Sequence, residues 1–99
     1  MLEPGYYEDG KFGVRIESLV LVKEAKLKHN FKDAGYLEFD VISLFPIQTK
    51  MIDKKLLTQD DVEWLNDFHK RCYDFIAPSL KQLGKTSALE WLTKATQPI

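Results

Sequence analysis

The sequence predicts an α+β chain, with antiparallel strands in its first half and helices in its second. Three observations carry that prediction. Residues 12 to 17 alternate, with Phe12, Val14 and Ile16 on one face and Gly13, Arg15 and Glu17 on the other. The stretch YLEFDVISLF, residues 36 to 45, gives a second strand pattern, in which Tyr36, Glu38, Asp40 and Ile42 oppose Leu37, Phe39 and Val41. From Thr58 onward the spacing changes to threes and fours, which is the period of a helix with one buried face.

Taken in chain order, Asp9-Gly10 between two strand-like runs is a hairpin signal. SLVLV, residues 18 to 22, continues the second arm as a run of buried character, and residues 23 to 28 are more polar, as at a sheet margin. Asn30 to Gly35 reads as a loop, and Pro46 confines the second strand region to an edge or ends it. Thr58 is placed to cap a helix, with Gln59, Asp60 and Asp61 in a first turn where acids suit the positive end of the dipole. The buried face of that helix runs through Val62, Leu65, Phe68 or His69, Cys72, Phe75 or Ile76, and Leu80 or Leu83. Pro78 is expected to kink or split it, because proline removes a donor and disfavours a helical residue before it. Gly84 is a stop signal, and the capping-box pattern SALE starts a last helix with Ser87 as cap and Glu90 three residues on. On this reading residues 1–50 hold the hairpin and strands, residues 51–99 hold the helices, and the two form one structural unit.

Length and composition bound the function. A chain of 99 residues fits one small domain, able to bury about 60 to 70% of its unfolded surface. A net charge of −1 with charged residues at 29% gives no field of one sign, so nucleic acid and anionic membrane are not expected partners. The single cysteine, Cys72, cannot form an internal disulfide, which suits a reducing cytosol, and it is expected as a small buried apolar side chain. No run approaches the roughly 20 apolar residues a bilayer span needs. The amino end lacks the basic and apolar regions of a secretion signal.

The hairpin places two glutamates, Glu3 and Glu17, at its two ends. A three-residue loop at Glu8 to Gly10 sets Glu17 one diagonal from Glu3, and a loop one residue later sets the two directly opposite. Both put the carboxylates on one face; a two-residue loop separates them. Like charges facing one another weaken a sheet, and a cation between them removes that penalty. Oxygen ligands favour hard metals such as manganese, magnesium or calcium. Two solvated acids near a strand margin weakened by Pro4 fit the spacing as well. Arg15 shares their face and is either an ion-pairing surface charge or a partner that orients a ligating carboxylate. His29 and His69 have no metal-ligand spacing and are expected to be structural, as are Tyr6 and Tyr7 as packing residues.

With these residues laid out, EPGYYEDGKFGVRIESLVLV resembles the last two metal-binding strands of the pita-bread metallopeptidases, where glutamates in E-P-G-x-Y and G-x-R-x-E contexts close the site. The later stretches PIQTKMID and ALEWLTKATQPI extend the likeness over essentially the whole chain, to the carboxy-terminal end of the cytosolic Xaa-Pro aminopeptidases. The resemblance implies a dinuclear, usually manganese, centre with Glu3 and Glu17 as ligands. Glu17 then bridges the metals, Glu3 binds one and helps move a proton, and Arg15 supports the ligands from behind. It also implies a peptide substrate with proline second. Family members draw two aspartates and a histidine from upstream of this segment, and the sequence departs from the pattern in lacking them. The expectation is therefore a carboxy-terminal part of such an enzyme, inactive alone, whose partners are the upstream part of the catalytic domain and, on its open strand edges, a second copy. A competing expectation is a non-catalytic interaction or dimerisation module, motivated by the apolar helix face, Trp64 and Trp91.

Overall fold

The computed structural model describes all residues from Met1 to Ile99. Four strands come first, β1 (Gly5–Glu8), β2 (Phe12–Arg15), β3 (Val20–Ala25) and β4 (Tyr36–Val41), followed by two helices, α1 (Gln59–Gln82) and α2 (Thr86–Ala95). The chain divides into two compact units, Met1–Ser43 and Leu44–Ile99. The irregular stretch from Leu44 carries strand-like composition. Its contacts are nevertheless helical: the Ile47 amide donates to Nε2 of His69 in α1 at 3.1 Å.

In the first unit the strands form two separate antiparallel ribbons, β1 with β2 and β3 with β4. The run from Phe12 to Ala25 serves both. Its early residues pair with β1 and, through the Leu2–Ser18 bridge, with the residues before it; from Val20 on it pairs with β4. The change of partner falls at Leu19, whose carbonyl accepts from the Ile42 amide at 2.9 Å and whose amide donates to the Ser43 hydroxyl at 3.0 Å. SLVLV is therefore not the buried run its composition predicts. Leu21 and Val22 are more than half exposed, because a two-stranded ribbon has no second layer within its own unit.

Helix α1 begins as expected. The Thr58 hydroxyl accepts from the Asp61 amide at 3.2 Å, and the Asp61 carboxylate accepts from the Thr58 amide at 2.8 Å, a reciprocal cap in which aspartate replaces the usual glutamate. The Thr58 hydroxyl also donates to that carboxylate at 2.7 Å, and this bond first, then the one from the Thr58 amide, holds the Asp61 carboxyl below its usual pKa. The buried face settles the open choices: Leu65, both Phe68 and His69, Cys72 and Ala77 are buried, whereas Phe75 and Leu83 are exposed. Cys72 is a free, fully buried thiol, as expected.

Two expectations about the helices are corrected. Pro78 does not split α1, which continues to Gln82. It stands near the end, where it removes a single intrahelical bond, and its neighbour Ala77 is anchored in the core. Ser87 is not the cap of α2, whose first residue is Thr86 and whose capping position is Lys85. The end of α1 decides this: Gly84, at φ +62°, donates to the Lys81 carbonyl at 3.1 Å, and Lys85 donates to Leu80 at 2.9 Å. That is the paired bonding of a Schellman stop, and it reverses the chain so tightly that Lys85 already accepts from Leu89.

Candidate metal-ligand hairpin

The β1–β2 turn occupies Asp9 to Lys11. Lys11 donates to the Glu8 carbonyl at 3.0 Å, and Gly10 takes φ +68° at the third turn position, where a type II turn needs a positive value. Glu8 then pairs with Phe12, and the later of the two three-residue loops is the one formed. The register holds to the open end: Gly5 faces Arg15, and Leu2 bridges Ser18. Glu3 therefore faces Glu17 directly.

The hydrogen-bond pattern adds proximity to parity. Leu2 and Ser18 exchange both backbone bonds, at 2.9 and 2.8 Å, and the Ile16 amide donates to the Pro4 carbonyl at 3.0 Å. Pro4 has no amide to return, so this end of the ladder is short of one bond. Glu3 and Glu17 lie between these positions and form a non-hydrogen-bonded pair, the kind whose side chains stand closer together.

On the same face lie Gly5, Tyr7, Gly13 and Arg15. The Arg15 Nε donates to the Tyr7 hydroxyl at 2.7 Å, the guanidinium carbon lies 5.6 Å from the Tyr7 ring centre, and an outer nitrogen is 4.0 Å from a Glu3 carboxylate oxygen. The bond that Arg15 donates to Tyr7 raises the Arg15 pKa, and the Glu3 and Glu17 carboxylates add smaller effects in the same direction. Arg15 is thus a fixed cation beside the two acids. It leans toward Glu3, the acid on the facing strand.

The two glycines make room for that arrangement. A Cβ on Gly13 would stand 2.7 Å from the Tyr7 ring, and one on Gly5 would collide with the Tyr7 hydroxyl. Tyr7 therefore lies flat across the face. Sequence reasoning took Tyr7 as packing and missed this contact, although strand parity already puts Tyr7, Arg15 and both glutamates on one side. Tyr6 points to the other face, where its ring is 6.0 Å from that of Phe12 and its hydroxyl donates to Glu8.

The donor set fits part of a hard-metal centre: two facing carboxylates, with a cation behind one of them. No group of three or more histidine, cysteine, aspartate or glutamate side chains comes together anywhere in the chain. His29 stands in the exposed loop before β4, and His69 is fully buried in the second unit. The hairpin brings two carboxylates face to face and no third candidate ligand.

Antiparallel ribbons followed by two helices match the C-terminal part of the pita-bread fold. A crystal structure of X-prolyl aminopeptidase from Caenorhabditis elegans, described as a cytosolic enzyme with a di-nuclear active site, superposes on 99% of the chain with a TM-score of 0.87 and 38% sequence identity. The chain belongs to the family described as the C-terminal region of peptidase M24, which matches residues 35–99. That match begins after the hairpin, but individual relatives span it. Aminopeptidase P1 of Lotus japonicus and a probable Xaa-Pro aminopeptidase P of Coprinopsis cinerea are each 50% identical over 97 residues, 98% of this chain. Xaa-Pro aminopeptidase ApepP of Drosophila melanogaster is 43% identical over the same length. The chain spans 14 to 16% of the length of these three relatives and 16% of the worm enzyme.

Proposed function

We propose that this chain is the part of a Xaa-Pro aminopeptidase that contributes Glu3 and Glu17 to a dinuclear manganese centre, and that it does not cleave peptides by itself. The observation that carries the reading is the register: Glu3 and Glu17 face one another at a non-hydrogen-bonded position, with the Arg15 cation beside them. Two like charges so placed are unfavourable in a bare ribbon and favourable around a cation. When bound, the metals supply activated water and polarise the scissile carbonyl between the first residue and proline.

This chain's residues have narrower tasks. Glu17 and Glu3 would hold the metals, Glu3 would also take up a proton from the attacking water, and Arg15, fixed by Tyr7, would keep the Glu3 carboxylate turned toward the site. The remaining ligands, two aspartates and a histidine, come from polypeptide outside this segment. The cytosol is the compartment this reading assigns.

The test is hydrolysis of a proline-second peptide with manganese, by the chain alone and after mixing with the upstream portion of a relative. We expect no turnover alone, turnover after mixing, and at least about a hundredfold loss with Glu17→Ala, in line with removal of a group that acts on the transition state. Turnover by the isolated chain that Glu17→Ala abolishes would overturn the claim of incompetence. Turnover after mixing that survives Glu17→Ala would overturn the ligand assignment.

A further inference from the structure

The second unit contains a histidine that none of this uses. His69 is fully buried on α1, its Nε2 accepts the Ile47 amide at 3.1 Å, and its Nδ1 is buried with no partner. Because Nε2 accepts, the ring proton of the neutral form is on Nδ1, where nothing receives it. A second proton makes matters worse, since an imidazolium needs two acceptors. It would find none at Nδ1, and at Nε2 it would set one N–H against another.

We propose that His69 is a proton-sensitive latch: neutral, it fastens the Pro46–Ile47 segment to α1, and protonated, it lets that segment go. The segment is the weaker partner. It belongs to no helix or strand, whereas His69 stands mid-way along a capped helix of 24 residues. Beyond this bond, the segment is held by the buried ring of Pro46 and by Phe45, whose ring lies 5.8 Å from that of Trp91 in α2. Short irregular segments with few backbone bonds open before helices do.

The surroundings leave the switch to His69 alone. On its own helix Asp67, Lys70 and Arg71 are exposed, and the other buried titratable group is Cys72, whose thiol burial pushes up and so stays neutral. From the neighbouring elements, Lys50 and Asp53 of the segment after Ile47, Lys85 just before α2, and Glu90 and Lys94 of α2 are all at exposed positions. Burial is the leading influence on the imidazole and lowers its pKa below the ordinary 6.5. The unfolded chain therefore takes up the proton first as pH falls. The stability that neutral His69 gives is complete above about pH 6.5 and is lost as pH drops through the lower folded value.

The experiment is amide hydrogen exchange on the full chain, followed by NMR from about pH 7.5 to pH 5 and corrected for intrinsic rates, beside the titration of the His69 ring. Protection at Ile47 is expected to fall about tenfold more than at Leu65 or Phe68, with the midpoint of the ring titration. His69→Gln, which keeps an acceptor and removes the proton, should abolish the pH dependence. A Trp64→Phe variant leaves Trp91 as the single tryptophan, and its fluorescence should change at the same midpoint as Phe45 departs. Ile47 protection that is flat with pH, or that falls only together with the α1 core, overturns the latch. So does a Trp91 signal that ignores the His69 titration.

Discussion

Gly13 is the residue on which the hairpin's acid face turns. It opens the G-x-R-x-E stretch, and its missing side chain is what lets Tyr7 lie flat and accept from Arg15. Gly13→Ala should shift the ring and destabilise the ribbon by about 1 kcal/mol, the lower end for overpacking. In a Tyr7→Ala background the same change should be neutral or slightly stabilising, because the obstacle is gone and alanine restricts the unfolded chain. A double-mutant cycle of urea midpoints checks this; equal costs in both backgrounds would show that the Tyr7 contact is not what the glycine serves. Glu3, Glu17 and Arg15 were legible as residues that share a face. Which register brings the glutamates opposite one another was not, because both three-residue loops place Gly10 in the turn and share the same face parity.

At the scale of elements, the helices show why local signals succeed in some places and fail in others. Thr58 was readable because a cap depends only on the next three residues, and the same locality makes its contribution testable. Thr58→Ala should lower stability by about 1 kcal/mol, and Thr58→Ser should lower it little, measured by thermal melting. The capping-box pattern at Ser87 is as good on paper, but it loses to a non-local fact: the stop built on Gly84 and Lys85 reverses the chain two residues earlier. Pro78 misleads in the other direction. Its cost is set by where the helix ends and by Ala77 in the core, and neither is written in the proline itself. His69 belongs here as well, since its spacing marks it only as part of an apolar face, and the partner it finds, Ile47, is 22 residues away.

For the whole molecule, the apolar surface of the first unit is the informative quantity. The β3–β4 pairing sets Val20, Val22 and Glu24 with Leu37, Phe39 and Val41 on one face, and Val22, Leu37 and Phe39 are 60%, 70% and 65% exposed. The opposite face is mixed, with Leu21, Ala25 and Tyr36 beside Lys23, which lies near Glu38 at 3.5 Å and Asp40 at 3.9 Å. A predominantly apolar, exposed face of this kind is how a ribbon looks when one side is made to be covered. Sedimentation of the chain at rising concentration should show association, and Phe39→Lys should reduce it without changing far-ultraviolet circular dichroism. A chain that stays monomeric at high concentration would mean that the exposed face is tolerated, against the competing reading of an interaction module. The sequence by itself determined what depends on near neighbours: strand periodicity, the Asp9-Gly10 turn, the Thr58 cap, the helical face, and the parity that gathers two glutamates and an arginine. Only the tertiary structure decided the turn's register, the separation of the strands into two ribbons, the Tyr7–Arg15 bond across two glycines, and the seat of Ile47 on His69. Each of these is a choice between alternatives nearly equal in local energy, and such choices are settled by contacts between residues far apart in the chain.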